Sequence, residues 1–225
     1  MTLQGQSTDF KDRTVGEIAA RLPGATAVFR KFRVDFCCHG DIALGEAMRQ
    51  RGIDAAALER ELRTLDASDT AAPSFGETIP LIDHILTRYH DTHRREAPEL
   101  IALSRKVESV HRDHPQVPIG LVRLLQEVRG DLEIHMKKEE LILFPAMRQH
   151  VAGGLEAPIA QMRDDHVEHG ELLQRLEDMT GGFALPEDAC RSWQALYSGA
   201  RKFRDDLIEH IHLENNVLFP RFEDQ

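Results

Sequence analysis

An internal repeat constrains this chain more than any other feature in it. His135-Met-Lys-Lys-Glu139-Glu-Leu-Ile142-Leu143-Phe144-Pro145 returns 75 residues later as His210-Ile-His-Leu-Glu214-Asn-Asn-Val217-Leu218-Phe219-Pro220. The shared form is H-x-x-x-E-x-x-[IV]-L-F-P. Each copy ends a long segment of helical period, so the C-terminal part reads as two copies of one helix pair. Leu121, Leu124, Leu125, Val128 and Leu132 mark the buried stripe of one repeat helix. Trp193, Leu196, Ala200, Phe203 and Leu207, spaced 3-4-3-4, mark that of the other. Segments at about 79–112, 119–149, 158–179 and 187–215 make four long helices with short links. The expected fold is all-α, with an up-down-up-down four-helix bundle over residues 76–225. Pro98 should kink or interrupt the first of these helices.

Residues 1–75 read as a small helical N-terminal domain plus a linker. Thr14-Val-Gly-Glu17 has capping-box form. Further helices are expected over 25–32, 42–51 and 54–65, the last with Asp54 as its N-cap. Val34-Asp35-Phe36-Cys37-Cys38-His39-Gly40 reads as a turn. The stretch from Asp66 to Ser74 is small, polar and without period, as a linker is.

Nine of the chain's ten net negative charges, and eleven of its twelve histidines, fall in residues 76–225. Such an acidic chain repels phosphate backbones, which argues against nucleic acid as a partner. No apolar run approaches a membrane span, and the N-terminus lacks the core of a signal peptide. Three cysteines, two of them adjacent, make no disulfide framework. These features together predict a cytoplasmic protein with reduced thiols.

Four residues along a helix turn the chain by about 400°, so His135 with Glu139, and His210 with Glu214, each share a face. That face continues the buried stripes. A carboxylate on a core stripe is costly unless paired, protonated or bound to a cation. One His-x-x-x-Glu alone is as often a solvated helix end. Two copies with matching flanks and phase point to metal, and two carboxylates with several imidazoles suit a pair of iron or manganese ions. Two histidines and two glutamates are too few for two metals, so the other helices should contribute. The third offers His166 and His169, both in line with Ile159 and Met162. The first offers His84, His90 and His93, among which periodicity does not choose. Asp83-His84 and Asp165-His166 match as one dipeptide, which favours His84 with His166. His111, His114 and His150 read as surface, and His39 and His212 are left without a role. Cys190 reads as a small core residue. Asp131 and Asp165 read either as supports for the neighbouring histidines or as solvated acids.

Taken together, these motifs resemble the repair-of-iron-centres family, di-iron proteins that help restore iron–sulfur clusters after nitrosative and oxidative damage. Thr14-Val-Gly-Glu17, Asp35-Phe-Cys37-Cys38 and Gly40 are similar to its short N-terminal domain. Leu81-Ile-Asp-His84-Ile, Arg88-Tyr-His-Asp-Thr-His93-Arg, Asp165-His166 and the two repeat copies are similar to its hemerythrin-like bundle. The resemblance covers nearly the whole chain. It implies two iron ions held by His84, His135, His166 and His210, bridged by Glu139 and Glu214 and by an oxo or hydroxo group. It implies functional thiols at Cys37 and Cys38, damaged iron–sulfur proteins as partners, nitric oxide or oxygen as small ligands, and room for a homodimer. The family commonly has Cys-Cys-Gly-Gly, where this chain has His39 in place of the first glycine. That histidine suits a base beside the thiols, an added metal ligand, or a turn residue with a left-handed backbone. The same donors would serve a di-iron nitric oxide reductase making nitrous oxide, or a module that only binds or senses nitric oxide or oxygen. Whether the chain is an enzyme stays open at this point.

Overall fold

The computed structural model describes residues 10–66, 76–149 and 153–223. His150 and nearly all of the expected linker lie outside them. Apart from one isolated bridge between Thr14 and Ala43, the regular structure among the described residues is helical.

Four short helices come first: α1 (Val15–Arg21), α2 (Ala25–Lys31), α3 (Leu44–Arg51) and α4 (Ala55–Asp66). Their ends follow from capping. The Thr14 hydroxyl accepts the Glu17 N–H at 3.1 Å, and Asp54 accepts the Ala57 N–H at 3.1 Å. Phe10, Ile18, Phe29, Leu44, Leu58 and Leu62 close a small core among them.

Four long rods follow. α5 covers residues 78–110, α6 residues 121–148, α7 Glu156–Met179 and α8 residues 191–218. α5 packs on both α6 and α8, and α7 closes the ring against α6 and α8. The chain passes through Pro98 inside α5 without a break. Pro98 is exposed, so water can take the carbonyl that its missing N–H leaves free. α8 starts at Arg191 rather than near 187, with Cys190 as its N-cap residue. Cys190 is therefore only partly buried, packed against the edge of the main core at a helix start, and its Sγ lies 3.1 Å from His111 Nε2. No helix among the described residues is long and apolar enough to cross a membrane.

Three of the four rods contain a π turn, at Ile85–His90, Glu139–Leu143 and Glu214–Leu218. The last two have a covalent cause. Pro145 and Pro220 carry no N–H to continue the helical ladder, and the amide before each reaches five residues back, to Glu139 and Glu214.

The bundle core splits into two apolar layers. The larger holds Leu132, Ala97, Leu172 and Leu207 and is continuous with the core of the N-terminal helices. The smaller holds Tyr89, Leu143, Met162 and Leu218. On every rod, buried polar residues lie between a member of one layer and a member of the other.

The N-terminal helices sit on the bundle next to the end of α8. Asn216 Nδ2 donates to the Phe36 carbonyl at 3.0 Å. The approach is close enough that a Cβ on Gly16 would come 2.2 Å from Asn216 Oδ1 and 3.0 Å from the Gly40 carbonyl oxygen, so a larger residue there would have to displace the Asn216 side chain. His212, which the stripe pattern leaves without a role, is buried at this junction, its ring edge-on to Phe36 at 5.4 Å.

Candidate metal centre

Between the two apolar layers, six side chains turn inward. His90 comes from the π turn of α5, His135 and Glu139 from α6, His166 from α7, and His210 and Glu214 from α8. All six are at most 2% exposed. Their donor atoms form two groups, each within 4.8 Å: His90, Glu139, His210 and Glu214 in one, and His135, Glu139, His166 and Glu214 in the other. Both glutamates belong to both groups.

The distances describe a closed ring. Glu139 spans His90 Nε2 at 3.4 Å and His135 Nε2 at 3.5 Å. Glu214 spans His166 Nε2 and His210 Nε2, both at 3.0 Å. The two Nε2 atoms within each group face each other, at 3.2 Å for His90 and His210 and at 3.1 Å for His135 and His166.

A surrounding set of polar groups fixes three of these rings. His90 Nδ1 meets Glu140 at 2.8 Å, His135 Nδ1 meets Asp165 at 3.2 Å, and His166 Nδ1 meets the Asn215 side-chain oxygen at 2.9 Å. Each partner offers only an acceptor, so each Nδ1 carries the proton and each Nε2 aims into the ring. The acceptors are themselves held. Arg94 donates to Glu140 at 2.7 Å, Lys138 donates to Asp165 at 2.7 Å, and Asn215 Nδ2 donates to the Cys37 carbonyl at 2.8 Å. This is the arrangement that orients metal-binding histidines.

The residues fit a cation in a further way. Both oxygens of Glu139 and one of Glu214 are buried with no hydrogen bond of acceptable geometry, a state that costs several kcal/mol for charged oxygens. Burial pushes Glu139 well above the usual carboxylate range, and the charge of Glu214 adds to it. Burial would raise Glu214 as well, but His210 and His166 hold it well below that range. Burial opposes protonation of His166, yet Glu214 outweighs it and raises this ring. Burial pushes His135 down to about 4 despite Asp165, and lowers His210. A cation here would offset the burial that opposes the ionised form of Glu139.

Five of the six ligands expected from the sequence meet here. His84 does not. It is only part-buried, its ring edge-on to Tyr89 at 5.7 Å, and it lines a cavity with Glu209 and His212. His90 takes the expected position, six residues further along α5 and level with His210. The repeat itself held the signal. His90-x-x-His93 and His166-x-x-His169 are 76 residues apart, close to the 75 of the main repeat, whereas the Asp-His dipeptides are 82 apart. His93 and His169 sit one turn from His90 and His166, also buried, and neither joins the two donor groups. Asp131 is exposed.

Cys37 and Cys38 stand beside this centre. Cys38 Sγ points to the His166 carbonyl at 3.4 Å. His39 is mostly exposed, with Nδ1 2.6 Å from Asp35 Oδ2. Its backbone is not left-handed, since Arg33 and Phe183 are the only described non-glycine residues with positive φ.

Residues 81–222 match the hemerythrin HHE cation binding domain. Residues 11–66 match ScdA_N, a domain of unknown function. The chain is 44% identical over 215 residues to the iron–sulfur cluster repair protein YtfE of Citrobacter koseri, covering 94% of this chain and 97% of that protein. It is 43% identical over 215 residues to the YtfE protein of Escherichia coli, with the same coverage. It is 42% identical over 219 residues to a probable iron–sulfur cluster repair protein of Haemophilus influenzae.

Proposed function

The chain belongs to the family of iron–sulfur cluster repair proteins with a hemerythrin HHE cation binding domain, and on that footing we propose that it repairs iron–sulfur clusters through two iron ions in the bundle. The observation that carries this reading is the pair of donor groups sharing Glu139 and Glu214. In this reading His90 with His210 serve one ion, His135 with His166 serve the other, and both glutamates bridge.

The bound irons would supply one-electron chemistry and open positions for a small ligand such as nitric oxide or oxygen. The protein's own part is to keep the site dry and the donors aimed. Glu140, Asp165 and Asn215 fix the ring tautomers, and bound cations would favour the ionised form of Glu139 that burial opposes. In this reading Cys37 and Cys38, with Cys38 Sγ 3.4 Å from the His166 carbonyl, would receive iron from the bundle.

The test is reconstitution. Iron-loaded protein is added to a nitric-oxide-damaged iron–sulfur enzyme, and recovery of that enzyme's activity is followed. Recovery should occur with the wild type and fail with His210→Ala, which should also lose bound iron. A His210→Ala protein that keeps two irons and full repair contradicts the proposal. Sustained nitrous oxide formation over several turnovers, without cluster repair, would replace it with a nitric oxide reductase.

A further inference from the structure

Among the described residues, one other set of metal-binding atoms converges outside the bundle. Asp35, Cys37 and Cys38 bring a carboxylate oxygen and two sulfurs within 4.8 Å of one another. The two sulfurs are 3.5 Å apart, and Cys37 Sγ is 3.5 Å from Asp35 Oδ1. Successive side chains of an extended strand point to opposite sides. Here the turn folds so that both sulfurs lie on the Asp35 side.

The turn is braced from two directions. Asp35 Oδ1 accepts the N–H of Cys37 at 3.2 Å and of Cys38 at 3.1 Å, while Oδ2 is held by His39 Nδ1 at 2.6 Å. Behind the turn, Asn215 and Asn216 donate to the Cys37 and Phe36 carbonyls. The sulfurs are therefore held in place rather than free to separate.

The spacing has a chemical meaning. Two sulfurs on one tetrahedral ion, each at about 2.3 Å, stand about 3.8 Å apart. The observed 3.5 Å is within a few tenths of that and well beyond the bonded distance of a disulfide. A cavity of about 680 Å³ is lined by Asp35, Cys37, Cys38 and His39; Cys38 is part-exposed to it and Cys37 lies buried behind. Two thiolates and a carboxylate are the donors of a thiophilic divalent ion such as zinc or ferrous iron.

We propose that Asp35, Cys37 and Cys38 form a second metal site, which binds one thiophilic divalent cation separately from the histidine–glutamate centre. His39 is its positioning residue, holding Asp35 with Oδ1 towards the sulfurs. Water from the cavity completes the coordination. Binding releases the two thiol protons to solvent, and no electron changes hands.

Cobalt(II) is the probe, because sulfur-to-cobalt charge transfer gives an absorption that a histidine–glutamate site cannot give. The full chain, reduced with a phosphine, is titrated with cobalt. The band should level off at the intensity of one sulfur-bound cobalt per chain, over and above cobalt taken by the bundle, and should persist in Cys190→Ser and in His210→Ala. It should vanish in the Cys37→Ser, Cys38→Ser double variant while that variant still fills its bundle site, which shows that it is folded. Asp35→Asn keeps an oxygen for the two backbone N–H groups and should weaken cobalt binding by about tenfold or more. His39→Gly should weaken it by a smaller factor. No charge-transfer band in the wild type, a band that survives in the double variant, or unchanged affinity in Asp35→Asn would each overturn the site.

Discussion

Asn215 ties the thiol turn to the buried centre through both ends of its side-chain amide, so replacing it tests how far the two depend on each other. Its oxygen accepts from His166 Nδ1 at 2.9 Å, and its nitrogen donates to the Cys37 carbonyl at 2.8 Å. Asn215 is 4% exposed, so an alanine there gives neither group a partner. Each buried group left unpaired costs about 1–3 kcal/mol, so Asn215→Ala should destabilise the metal-free protein by about 2–6 kcal/mol. His166 also loses the bond that sets its tautomer, and metal affinity should fall by about 10–100-fold. Urea unfolding of the metal-free protein reads the first effect, and iron retention against a chelator reads the second. Asn215→Asp separates the two bonds, since it still accepts from His166 but cannot donate to Cys37. It should keep more of the metal affinity than the alanine variant. An alanine variant within about 0.5 kcal/mol of wild type that retains iron equally well would refute this account of the link.

Further predictions concern individual histidines. His90→Ala should lose bound iron, whereas His84→Ala should keep the full complement, as metal analysis of the two purified proteins would show; the reverse result would restore the Asp-His reading. His212 governs a pH effect at the junction of the N-terminal helices with the bundle. Burial pushes it from 6.5 down to about 4, so the folded protein holds it neutral over a range where the unfolded chain takes up a proton. Stability from this group is complete above about pH 6.5 and is lost as pH falls from there to about 4, to a total of about 3 kcal/mol. Denaturation midpoints of the metal-free wild type and His212→Gln across that range should converge towards acid; parallel curves would contradict the assignment.

The repeat made the α6 and α8 contributions to the centre legible, because His135 with Glu139 and His210 with Glu214 lie on stripes that keep one phase up to the site. α5 was harder to read for a physical reason. Its π turn spends an extra residue just before His90. A stripe extended at 3.6 residues per turn through Leu81, Ile82 and Ile85 therefore leaves the correct face at that point. His84 matches His166 by its dipeptide, but its ring lies against Tyr89 and it joins neither donor group. The supports of the centre were mostly invisible, since Glu140 and Asn215 are ordinary polar residues until the fold sets them against His90 and His166. By sequence Asp165 and Asp131 are equally good supports, and only the fold exposes Asp131 to solvent. The burial of His212 depends on the docking of the N-terminal helices, which no local pattern encodes. Pro98 broke nothing because its missing bond faces water.

The central claim is that Glu139 and Glu214 bridge two irons, each held by a pair of histidines from different rods. Its most direct test is iron analysis of the purified protein, joined to electron paramagnetic resonance after partial reduction. The account predicts two irons per chain and, in the half-reduced state, the signal of a coupled mixed-valence pair that disappears in His90→Ala. One iron per chain, or an uncoupled single-iron signal that does not change in that variant, would contradict it.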